Sequence, residues 1–177
     1  MLENYQLLAR YNGWFNARLY DACARLDDHA RKTDRGAFFG SIHVTLNHLV
    51  WGDTLWLGRF WAQDVSCQQA LTPELLNLPD GARYETVLFE GFDALRTHRV
   101  RLDAAIERWV NELPADFPRR TMRYSNTKGV AREHPMWQAM THFFNHQTHH
   151  RGQVTTLMIQ AGIDVGVTDL IALASST

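Results

Sequence analysis

Residues 84–113 read YETVLFEGFDALRTHRVRLDAAIERWVNEL and stop at Pro114. Leu88, Leu95, Leu102 and Trp109 stand seven apart, and Phe92, Ile106 and Leu113 fill most of a second row, which Arg99 interrupts. Seven residues are nearly two helical turns, so both rows share one side of a cylinder. The spacing predicts a long amphipathic helix over 84–113, of the kind that packs in bundles, ended by the proline.

The stretches around it repeat the pattern. Over 3–28, Leu8, Tyr11, Phe15, Leu19, Ala22 and Leu26 recur in steps of three and four, up to the polar run that begins at Asp27. Over 39–63, Ser41 is placed to cap a helix whose stripe runs through Ile42, Thr45, Leu49, Gly52 and Trp56. A fourth helix opens at His134-Pro135 and runs to Gln160, with Gly162 as its stop. Thr72-Pro73-Glu74 signals a helical turn, Pro79-Asp80-Gly81 a tight turn, and 120–124 with 129–133 a short hairpin. Residues 169–174 add a last turn. Four long helices with little strand predict an all-α chain: one four-helix-bundle domain over 1–177.

The 177 residues carry a net charge of -1, and 45% of them are hydrophobic. Such a chain is too apolar for disorder and has no basic excess for gripping nucleic acid. No apolar run approaches the roughly 20 residues of a membrane span. MLENYQLLAR has no basic stretch followed by an apolar block, so no secretory signal is expected. Cys23 and Cys67 match no metal or redox spacing. The expectation is a cytoplasmic, reduced protein with neither nucleic-acid nor membrane partner.

Histidine is the unusual residue: five of the nine fall between 134 and 150. His146 and His150, four apart, put two imidazoles on one helical face, where one ion can reach both. Ala139, Phe143, Gln153, Val154 and Leu157 share that face, which is otherwise apolar. His142 extends the row, and His149 is turned about 100° away. A third ligand has to come from another helix. His48 lies beside Thr45, Gly52 and Leu55, whereas His43 is about 140° around the helix, so His48 is the candidate. Three histidines plus water would form an open centre. Imidazoles suit zinc, nickel, copper and iron alike. The competing reading is a set of hydrogen-bonded core histidines with no metal.

Other residues carry alternatives. Asp53 either orients a ligand imidazole or, the reading we favour, pairs with an arginine of a neighbouring helix. Arg151 either binds a substrate carboxylate or, again favoured, forms a structural ion pair. Gln153 can reach a metal-bound water or satisfy a backbone group. Asn47 and Asn145 are given no role. Trp51, Trp56 and Trp61 cannot all face one core, so some line a pocket or a contact between copies. The surplus of exposed aromatic residues predicts a homodimer.

The segments Ser41-Ile42-His43-Val44-Thr45-Leu46-Asn47-His48 and Asn145-His146-Gln147-Thr148-His149-His150-Arg151-Gly152-Gln153 resemble the two signatures of the DinB-like family, named for induction by DNA damage. The likeness runs the length of the chain, through helix order and the long connection before the third helix. It implies a four-helix bundle in up-up-down-down arrangement, often dimeric. It also implies one divalent metal ion, usually nickel or zinc, held by one histidine of the second helix and two of the last. The matching positions are His48, His146 and His150; His142 and His149 fall outside the pattern. The wider superfamily includes transferases and isomerases that use mycothiol, bacillithiol or glutathione. The resemblance therefore implies a metal-dependent enzyme acting on a small-molecule substrate, with thiol-dependent S-transfer or isomerisation the first reading. A metal-dependent hydrolase is an alternative, although no aspartate or glutamate base stands on the ligand faces. A non-catalytic, metal-braced stress-response protein is another.

Overall fold

The computed structural model describes residues 1–174. They form α1 (Leu2–Cys23), a short α2 (Asp28–Lys32), α3 (Ile42–Trp61), α4 (Phe92–Glu112), α5 (Met136–Gln160) and a short α6 (Leu170–Ala174). Strands β1 (Thr121–Ser125) and β2 (Ala131–Pro135) make an antiparallel hairpin between α4 and α5. The chain is thus mostly helical with a small two-stranded sheet, close to the hairpin read from the sequence. Two 3-10 turns, Val65–Gln68 and Phe117–Arg119, had no clear signal.

Side-chain caps set several helix ends. The Ser41 hydroxyl accepts from the Val44 N–H at 3.2 Å, as its position predicts. Asp27, which closes the first apolar run, caps α2 by accepting from Ala30 N–H at 2.7 Å. Gly162, at φ 79°, ends α5, where Ile163 N–H reaches back to the Met158 carbonyl at 2.9 Å. That left-handed conformation is the one glycine adopts cheaply. The predicted helix over 84–113 begins only at Phe92. Asn47 of α3 accepts from Phe89 N–H at 2.8 Å and donates to the Phe89 carbonyl at 3.3 Å. The backbone groups a longer helix would need are taken by α3.

Within the core, Phe60 stacks on Trp109 at 4.8 Å between ring centroids, and Phe143 meets both edge-on. Leu95, Leu102 and Trp109 of the seven-residue row are fully buried. The pairings give the helix directions. Tyr5 meets Phe144 and Cys23 meets Met158, so α1 and α5 run parallel. Tyr20 meets Phe92 while Asn16 meets Asp103, so α1 and α4 are antiparallel. Asp53 meets Arg99 and Phe60 meets Trp109, so α3 and α4 are parallel. His48 meets His150 while Phe60 meets Phe143, so α3 and α5 are antiparallel. The order is up-down-down-up, which corrects the up-up-down-down arrangement implied by resemblance. The long connection between Trp61 and Phe92 is what lets consecutive α3 and α4 run the same way.

One buried cluster is charged. Arg99, only 2% exposed, donates to fully buried Asp53 and lies 2.7 Å from Asp103. Asn12 and Asn16 donate to Asp103 at 2.8 and 2.9 Å. Arg151 donates to Asn12 and lies over Phe15 and Tyr11, at 4.7 and 5.4 Å from the ring centroids. Asp53 therefore takes the arginine partner expected of it. Among the described residues Arg151 forms no ion pair, contrary to expectation; the Asn12 amide, the Thr148 hydroxyl at 3.4 Å and two aromatic faces hold it instead. Burial draws its guanidinium down to about 10, against the upward pull of Asp103.

Candidate metal centre

His48 reaches from α3 toward His146 and His150, one turn apart on α5. Its Nε2 lies 3.2 Å from Nε2 of each. The ring nitrogens available from all three lie within 4.8 Å of one another, so the trio could hold a metal ion. His48 and His150 are buried and His146 is half-buried.

The outer nitrogens decide what the inner ones can do. His48 Nδ1 is 2.9 Å from the Tyr84 carbonyl, which can only accept, so Nδ1 carries the hydrogen. His150 Nδ1 is 2.8 Å from Gln153 Oε1, with the same consequence. Nε2 of His48 and of His150 are then bare lone pairs facing each other. A proton on His146 Nε2 would relieve one contact and leave that one repulsive. A cation relieves all of them. With bonds of about 2.0–2.1 Å, a tetrahedral zinc ion sets its nitrogens about 3.3–3.4 Å apart, close to the spacing present. The donor set fits such an ion.

Burial, then the charge of the neighbouring rings, holds His146 down at about 3. Burial holds His150 at about 4, and lowers His48 as well. All three are neutral at pH 7, the form that ligates.

The surroundings constrain the rings. Phe39 stacks on His48 at 4.0 Å and meets His150 edge-on at 5.5 Å. Gly52 is required by close approach: a Cβ there would lie 2.7 Å from His146 Cε1. His43 Nε2 donates to the Phe89 carbonyl, 2.8 Å away, and is buried beneath the connection, on a different side of α3 from His48. Asn47, to which no role was given, ties the same connection to α3. His43, Asn47 and His48 together clamp residues 84–89, which in turn orient His48. Sequence spacing carried one trace of this: 43 and 47 are a helical turn apart. Phe39 and Tyr84 had no signal, because contacts across loops leave no periodicity.

His149 is exposed, near Gln153 and away from the convergence point, as predicted. His142 packs at a tilt against Trp56, 4.8 Å between ring centroids, outside the trio. Gln153 supports His150 directly. Asn145 is exposed. No helix among the described residues is long and apolar enough to cross a membrane.

The model of the DinB family matches residues 1–177. A Bacillus subtilis (strain 168) protein named Protein DinB is 23% identical over 162 residues, which cover 92% of this chain and 88% of its own. No solved structure matches the chain.

Proposed function

We propose that this chain, which belongs to the DinB family, is a metal-dependent enzyme whose divalent ion is held by His48, His146 and His150. The observation that carries the reading is the pair of bare Nε2 lone pairs of His48 and His150, 3.2 Å apart, with His146 Nε2 at the same distance from His48. We read residues 1–177 as one domain, a four-helix bundle working in the cytoplasm as a homodimer. Nickel or zinc suits an all-imidazole set.

When bound, the ion supplies Lewis acidity and stabilises a thiolate or hydroxide at neutral pH. The chain's own contribution is positioning. Tyr84 and Gln153 fix which nitrogen of His48 and His150 is free, and Phe39 shields one side from water. Nothing in the trio is a carboxylate, so a built-in general base is missing there. That favours a low-molecular-weight thiol as the nucleophile, in an S-transfer or isomerisation, over hydrolysis. The test is consumption of glutathione or bacillithiol with a chromogenic electrophile. Metal-loaded protein should turn over and His150→Ala should not. Equal background rates in both would support a non-catalytic metal brace instead.

A further inference from the structure

Two cavities open beside α3 and β1, the smaller also bordered by α5, and Tyr124 lines both. The larger, 480 Å³, has walls that include Leu55, Arg59, Leu76, Leu78 and Arg123. The smaller, 270 Å³, has Trp56, His134 and His142 in its wall. His142 is one turn of α5 before His146, with ring centroids 6.0 Å apart. His142 thus stands between the smaller cavity and His146, although none of the trio lines either cavity.

Arg59 stands at the junction, its guanidinium 4.7 Å from the Trp56 ring centre and 4.6 Å from that of Tyr124. Among the described residues no carboxylate lines either cavity. Arg123 is occupied by Glu133, 2.8 Å away. Arg59 has one acceptor, the Ser125 carbonyl at 3.4 Å, and no carboxylate among the described residues within 4.0 Å. A guanidinium has five N–H donors, so most of these lack a protein partner. Half-buried and stacked on two rings, it has lost part of its water without gaining a counter-charge. One unpaired cation against apolar and aromatic walls matches a monoanion with an apolar body. A dianionic phosphate would leave a charge uncompensated.

We propose that these cavities bind a small organic carboxylate, its charge on Arg59 and its aromatic or apolar body along Trp56 and Tyr124 toward His142. As the substrate class of the reaction above, this assignment rests on that reading; the binding itself does not require the metal. Isothermal titration of the full chain with benzoate, benzamide and phenyl phosphate tests it. Benzoate should bind at least about tenfold more tightly than benzamide, the scale of a charge-assisted hydrogen bond. Phenyl phosphate should bind no more tightly than benzoate. Arg59→Met should erase the preference, Arg59→Lys should keep part of it, and His150→Ala should leave it intact. Equal binding of benzoate and benzamide would overturn the proposal without any variant. So would tighter binding of phenyl phosphate. Benzoate binding lost in His150→Ala but kept in Arg59→Met would put the carboxylate on the metal and also overturn it. Absence of metal binding, with benzoate binding intact, would sink the metal reading alone.

Discussion

Two polar clusters are buried in this molecule, and they are built on opposite principles. Between α1, α3, α4 and α5, two guanidinium groups, Arg99 and Arg151, are set among two carboxylates, Asp53 and Asp103, with Asn12 joining Arg151 to Asp103 and Asn16 donating to Asp103. Arg99 faces both carboxylates, and the formal charges of the four groups cancel. Between α3 and α5, His48, His146 and His150 direct acceptor nitrogens at one point. Burial and four-residue spacing are common to both: 12 and 16, 99 and 103, 146 and 150. What separates a structural cluster from a binding site is whether its own groups complete one another. The first is balanced in charge within the chain, although Asp53 Oδ1 and the Nε atoms of Arg99 and Arg151 have no hydrogen-bond partner among the described residues. The second is completed by a cation from outside.

Breaking each cluster in metal-free protein should give unlike results. Arg99→Leu leaves Asp53 and Asp103 buried without their partner, which should cost about 3–5 kcal/mol in urea denaturation. His150→Leu removes one of two repelling lone pairs and should change metal-free stability by less than about 1.5 kcal/mol. If the two variants cost the same, the trio is self-sufficient and the contrast fails. Metal should then restore the asymmetry. At a free concentration about 1,000 times Kd, nickel or zinc should stabilise the wild type by about 4 kcal/mol, and Arg99→Leu by a similar increment. His150→Leu should gain none of it, and a chelator should remove the gain.

A smaller effect sharpens the geometry. Gly52→Ala forces a Cβ to within 2.7 Å of His146 unless the ring moves. The expected loss is about 1–3 kcal/mol, read as weaker metal affinity with the helices otherwise intact. The pH profile supplies the mildest test. His146 and His150 sit at about 3 and about 4 in the fold, below the 6.5 of a free imidazole. As pH falls from about 6.5 to about 3, the unfolded chain binds protons that these folded imidazoles refuse, His150 until about 4 and His146 until about 3. The part of metal-free stability that these two histidines supply should therefore fall across that window and level off beneath it. The double change His146→Leu with His150→Leu should flatten the slope in a thermal scan across buffers.

Much of the helical frame was legible because its signals are local. Ser41, Gly162 and Pro114 mark boundaries by their own backbone chemistry, and the row through Leu95, Leu102 and Trp109 is a packing pattern written in periodicity. His48, His146 and His150 were legible because a helix converts four-residue spacing into proximity. The start of α4 was not, since residues 84–91 have the apolar pattern of a helix but give their backbone groups to His43, Asn47 and His48. Arg99 looked like an interruption of a core row. Its partner, Asp53, lies on a different helix, and only the fold brings them together. Helix direction was likewise hidden, because it depends on how long connections cross rather than on any side chain. Gly52 belonged to the predicted stripe, but its need for an absent Cβ comes from His146, 94 positions away in sequence.

The central claim is that the inner nitrogens of three particular histidines jointly require an ion. Metal analysis of untagged protein, equilibrated with nickel or zinc and freed of excess, tests it most directly when combined with X-ray absorption. Wild type and His149→Ala should each retain one ion per chain, with metal–nitrogen distances of about 2.0–2.1 Å for zinc. His48→Ala, His146→Ala and His150→Ala should each lose most of it. Retention of metal by His150→Ala with loss in His149→Ala, or no metal in folded wild type, would contradict the account.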